Sequence, residues 1–122
     1  MSVMANKVHC ILEELFPANP HRRVFPEYFV SYKATKLFFD FYVKECFLFV
    51  ECQGRQHTQF VKHFHGDGES FSRQKMRDNL KLEYVQKNGL YLVRVYDHED
   101  VDRDLVLCKI NKALDNKYNC CD

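Results

Sequence analysis

The chain reads as an α/β fold: one mixed sheet flanked by helices, in a single domain spanning residues 1–122. Three observations predict it. Apolar residues recur at helical spacing in three separated segments. Two aromatic-rich runs, residues 37–43 (LFFDFYV) and 47–53 (FLFVECQ), stand on either side of a short polar break. A third run, LYLVRV at residues 90–95, comes only after a long helical stretch. A short break between strands makes an antiparallel hairpin, whereas a strand regained through a helix joins the sheet by a crossover.

Taken in order, Val8, Ile11, Leu12, Leu15 and Phe16 follow the i, i+3, i+4, i+7 pattern of an amphipathic helix, which Pro17 and Pro20 end. Val24–Phe25 and Phe29–Ser31 read as short extended pieces interrupted by Pro26. The two aromatic runs follow, with Lys44 and Glu45 in the break. Residues 54–69 hold three histidines and three glycines and read as a loop. Ser70 or Ser72 caps the next helix, in which Met76, Leu80 and Tyr84 recur every fourth residue, and Gly89 stops it. After the third strand, Asp97 to about Lys117 reads as a last helix, with Val101, Leu105, Leu107, Cys108, Ile110 and Leu114 on its apolar side.

Composition narrows the classes. Apolar residues make up 46% of the chain, enough to build a core and to exclude a disordered protein. No run approaches the ~20 apolar residues of a membrane span, and the N-terminus lacks a signal peptide's apolar stretch. The expected location is inside a cell. None of the six cysteines forms a C-x-x-C pair, so a zinc ribbon is not indicated. Cys10, Cys46, Cys52 and Cys108 read as buried reduced thiols, and Cys120 and Cys121 as exposed ones. The net charge of +1 does not announce a nucleic-acid partner, but basic residues cluster locally around Arg22 and Arg23, Lys36, and Arg73 and Arg77.

The informative feature is a carboxylate inside each aromatic strand. A turn centred on residues 44–46 pairs Tyr42 with Phe49 and sets Asp40 opposite Glu51. Strict alternation then puts Phe38, Asp40 and Tyr42 on one face with Phe49, Glu51 and Gln53. Facing carboxylates repel unless a cation or a proton joins them, and a divalent ion such as Mg²⁺ or Mn²⁺ suits oxygen ligands. A structural ion pair with a lysine or arginine is the competing explanation. His57, just past the second strand, is a candidate base or phosphate contact, while His63 and His65 are weaker ones. Asp78 and Lys81 share a helix face.

Together, FFDFYV, LFVECQGRQH and RDNLKLEYVQKNGLYLVRV resemble the very-short-patch-repair-like branch of the PD-(D/E)XK nucleases, which includes phage-borne homing endonucleases. The resemblance covers about residues 37–96. It implies a restriction-endonuclease-like core and a Mg²⁺-dependent endonuclease acting on DNA as a monomer or homodimer, in the host cytoplasm if phage-encoded. By the same match Asp40 and Glu51 are the metal-binding acids and His57 the histidine after the glycine. Asp78, Lys81 and Arg94 match the downstream helix and strand, and Glu13 or Glu14 of the first helix supports the site. Arg22, Arg23, Lys36, Arg73 and Arg77 are the DNA-binding candidates. One departure stands out: Gln53 occupies the place of the motif lysine. Lys81 is the expected substitute. The alternatives are a nuclease-fold binding module without activity, or a nuclease for RNA or branched DNA.

Overall fold

The computed structural model describes residues 1–54 and 68–115, with the backbone alone for 68–71. His57, His63, His65, Cys120 and Cys121 lie outside the described residues.

Helix α1 spans Val3–Leu15 and opens on Ser2, whose hydroxyl accepts from the Ala5 N–H at 3.1 Å. Strands β1 (Val24–Tyr32), β2 (Thr35–Val43) and β3 (Leu48–Gln53) form an antiparallel meander. Helix α2 (Gly68–Lys87) crosses to strand β4 (Tyr91–Tyr96), which pairs in parallel with β3, and helix α3 (Arg103–Leu114) closes the described chain. The sheet is mixed, as the sequence predicts, and its strands are ordered β1-β2-β3-β4.

Several boundaries differ from expectation. Strand β1 is continuous through Pro26, because it is an edge strand and the missing N–H breaks no second ladder. Helix α2 begins at Gly68, ahead of the expected serine caps. Helix α3 begins only at Arg103, where the Asp102 carboxylate accepts from the Leu105 N–H at 2.8 Å. Residues 97–101 instead turn back under Tyr96, held by the Glu99 carboxylate on the Tyr96 N–H at 2.8 Å.

Two apolar layers hold the sheet. On one face α1 and α3 bury Val8, Leu12, Val106 and Ile110 against Phe41, Val43, Leu48, Val50, Val93 and Val95. On the other, Val85 of α2 packs with Leu37, Phe39 and Phe49. Each fully buried side chain of this kind stabilises by about 1.5–3 kcal/mol. Burial corrects two sequence readings. Met76 is exposed, and α2 packs through Leu80, Tyr84 and Val85. Cys10 and Cys108 are exposed rather than buried, while Cys46 and Cys52 are half-buried.

The strict alternation expected for β2 fails at Asp40. Phe39 stacks on Phe49 at 4.0 Å, and Tyr42 packs on that same ring at 4.6 Å. Residues three apart thus share a face, while Phe41 turns to His9 of α1. The neighbouring strand changes face at the same level: Val24 lies in the α1–α3 layer and Tyr28 in the α2 layer. Between them Glu27 has φ 52° and interrupts the pairing between Pro26–Phe41 and Tyr28–Phe39. Phe38 therefore does not join Tyr42 and Phe49. It points outward and is 59% exposed.

Candidate active site

The β2–β3 register pairs Tyr42 with Phe49, as the turn arithmetic predicts, but the recorded ladder ends at Phe41–Val50. Asp40 and Glu51 follow where the strands part. There the Asp40 Oδ2 accepts from the Cys52 N–H at 2.7 Å, so the carboxylate replaces a backbone acceptor. The kink that ends regular pairing is what frees Asp40 to do this.

Glu51 lies on β3, which has a neighbour on each side, and it is only 5% exposed. Lys81 reaches it from α2. The ammonium donates to both carboxylate oxygens, at 2.7 and 3.0 Å, and lies 5.3 Å from the Phe39 ring centre. Lys81 is itself 9% exposed, so the pair is buried and removal of either partner strands a charge. Asp78, one helical turn earlier, is buried as well. Gln53 is buried two residues beyond Glu51. The cation beside Glu51 thus comes from α2.

Burial pushes the Glu51 carboxyl above its ordinary range. Lys81 pulls it back, the Asp40 charge pushes it further up, and Arg94 draws it down. Even with Lys81 in place, positive charge around this carboxylate falls short of offsetting its desolvation. Burial and the two carboxylates push the Cys52 thiol up to about 12, which removes it as a thiolate nucleophile at neutral pH.

Arg94 sits opposite Glu51 in the parallel β3–β4 ladder. Its Nε and Nη2 are buried without a hydrogen-bond partner among the described residues. Buried guanidinium nitrogens without acceptors are costly, and an anion carrying two oxygens satisfies them. Lys109 holds the Arg94 carbonyl at 2.9 Å and pairs with Glu99 at 2.9 Å, tying α3 to this end of β4.

The structure thus gathers Asp40, Glu51, Gln53, Lys81 and Arg94 around the carboxyl ends of β3 and β4. Glu14 is not gathered in: it is exposed and lies 3.8 Å from Arg103 of α3. Glu13 is taken by His9 at 3.2 Å. Among the proposed DNA contacts, Arg23 is held by Glu45 and the Pro17 carbonyl and stacks over Phe16, a structural role. Arg22, Lys36, Arg73 and Arg77 are exposed. Two features escape sequence reading: the main-chain contact from Cys52 to Asp40, and the unsatisfied Arg94 nitrogens. Neither leaves a signal in residue type or spacing. Among the described residues no group of three or more His, Cys, Asp or Glu side chains gathers, and no helix is long and apolar enough to cross a membrane.

No family model matches the chain, and no solved structure does. The chain is similar to uncharacterized protein 307L of Invertebrate iridescent virus 6, with 38% identity over 63 residues, 51% of this chain and 32% of that protein. It therefore spans about a third of the length of the relative it matches.

Proposed function

We propose that this chain is a PD-(D/E)XK-type nuclease with a restriction-endonuclease-like core, hydrolysing DNA phosphodiester bonds with a divalent ion. The observation that carries this reading is the Lys81 ammonium on both oxygens of Glu51, which supplies from a helix the cation that Gln53 lacks. The order of elements, a helix, a three-strand meander, a crossover helix and a parallel strand, supports it.

The donor set fits Mg²⁺ or Mn²⁺. Asp40 and Glu51 offer hard oxygens, and a carboxylate has lone pairs enough to accept an ammonium and a metal together. Two protein carboxylates suit Mg²⁺, which keeps several waters. The raised Glu51 marks a place short of positive charge. When bound there, the ion supplies Lewis-acid polarisation of a phosphoryl oxygen and a lowered water pKa. The chain's own groups do the rest. Arg94 supplies positive charge beside the phosphate, and Lys81 offsets charge that develops on it. Cys52 holds Asp40 in place through its N–H.

The test is digestion of supercoiled plasmid with Mg²⁺ or Mn²⁺ against EDTA, using wild type, Asp40→Ala and Lys81→Ala. Metal-dependent cutting lost in both variants is expected. Cutting that survives Asp40→Ala overturns the assignment. The second reading, a binding module without activity, draws on the same ion pair, since Lys81 already neutralises Glu51. DNA binding without cleavage under any metal selects it. A panel of RNA and branched substrates tests the polymer assumed.

A further inference from the structure

The β1–β2 hairpin turns most of its aromatic rings inward: Tyr28, Tyr32, Phe39 and Tyr42 pack in the layer beneath α2. Phe29 and Phe38 do the opposite. They are direct cross-strand partners, with ring centres 5.7 Å apart, and are 52% and 59% exposed. Isolated exposed apolar residues are ordinary, but this is a paired aromatic surface with two further features. The Lys36 ammonium lies over the Phe29 ring, 5.1 Å from its centre, which places a cation on this surface. A cavity of about 430 Å³, lined by Glu27, Phe38, Phe39 and Asp40, joins it to the site carboxylate.

We propose that Phe29 and Phe38, with Lys36, form a stacking platform for unpaired bases of a DNA strand threaded toward Asp40. This rests on the nuclease reading and narrows its substrate to DNA with unpaired bases. Magnitudes favour this occupant over a second copy of the chain. Two phenylalanine rings at half exposure offer on the order of 200 Å², against about 800 Å² per partner in a stable protein interface. Stacking of one or two bases needs no more than two rings. Bases inside a duplex are stacked on each other and present no face to a platform, so the strand must carry unpaired ones. Lys36 suits the connecting phosphate. Glu27, the acid at the cavity, suits base amino groups and disfavours phosphate there. Phe38 and Asp40 are about 7 Å apart along β2, so a strand stacked on the platform passes beside the site carboxylate.

The experiment measures binding in EDTA by fluorescence anisotropy, with the full chain and three labelled probes: a short single-stranded oligothymidylate, an abasic strand of equal length, and a duplex. Wild type is expected to prefer the oligothymidylate over the abasic strand by about tenfold or more. The double variant Phe29→Ala/Phe38→Ala, checked for folding by circular dichroism, is expected to lose that preference and keep abasic binding. Phe38→Trp adds an independent readout, because the chain has no tryptophan of its own. Its emission is expected to be quenched by the oligothymidylate and unaffected by the duplex. An unchanged preference in the double variant, or no preference in wild type, overturns the platform. So does a wild-type dimer in sedimentation that the double variant abolishes, which assigns the face to self-association. Loss of the nuclease reading is separate: a chain that never cuts plasmid yet keeps the base preference retains the platform without the chemistry.

Discussion

Lys81 and Glu51 set the behaviour of the site residue by residue. Lys81→Ala strands a buried carboxylate and is expected to lower stability by about 3 kcal/mol, read by urea unfolding. Glu51→Gln with Lys81→Met removes both charges and is expected to recover most of that loss. The pair also fixes a pH dependence. Burial raises the Glu51 pKa in the folded chain above its unfolded value. The native state therefore binds a proton more tightly, and the stability this gives is full below the unfolded pKa and lost as pH rises through the folded one. Divalent binding needs the ionised form, so Mn²⁺ affinity is expected to fall, on acidification, above the ordinary carboxylate range. Lys81→Ala is expected to move that limb to still higher pH, because the cation that lowers the pKa is gone. Calorimetric Mn²⁺ titration across pH checks both. Asp40 and Glu51 were legible in the sequence because carboxylates seldom sit inside aromatic strands without a purpose. The helix that carries Lys81 was legible, and an ion pair between a strand carboxylate and a lysine was one of the two readings open; only packing decides that the pair is Glu51 with Lys81. The buried Arg94 nitrogens without an acceptor among the described residues were not legible, since only packing decides whether a guanidinium finds acceptors.

Among the elements, turns and caps follow local chemistry with one exception. Lys33 and Ala34 join β1 to β2 with φ of 50° and 60°, the left-handed pair of a type I′ turn. Such turns favour Asn-Gly. Ala34→Gly is expected to stabilise the chain by about 0.5–1 kcal/mol, read as a higher urea midpoint with unchanged slope. Asp102→Ala removes the cap of α3 and is expected to cost about 1 kcal/mol in the same assay. The β2–β3 register was readable from the length of the polar break. The continuity of β1 was not, because Pro26 breaks a central strand and spares an edge. Nor was the change of face at Asp40. In FFDFY every neighbour is apolar, so alternation alone cannot tell Phe38 from Phe39. The positive φ of Glu27 has no marker in a residue type that seldom adopts it.

For the molecule as a whole, a net charge of +1 provides no general attraction to a polyanion, so any DNA affinity must come from local placement. Charge reversal at Arg22, Lys36 and Arg77 together is expected to weaken DNA binding and flatten its salt dependence. Arg23, committed to Glu45 and Pro17, is expected to affect folding instead. Anisotropy titrations at several salt concentrations separate the two.

The parallel pairing of β4 with β3 also shapes how the chain folds. The meander β1-β2-β3 is built from local contacts, whereas β4 pairs with β3 only after α2 has been laid down. Loop closure makes such non-local pairing the slow step. Asp40 and Cys52 meet within the meander, but Glu51 meets Lys81 and Arg94 only when the second half docks. In stopped-flow chevrons, truncations of Phe39 or Phe49 are expected to slow refolding, and Lys81→Ala chiefly to quicken unfolding. A nascent chain would thus carry Glu51 without its cation until the helix beyond β3 has been made and has docked on the sheet.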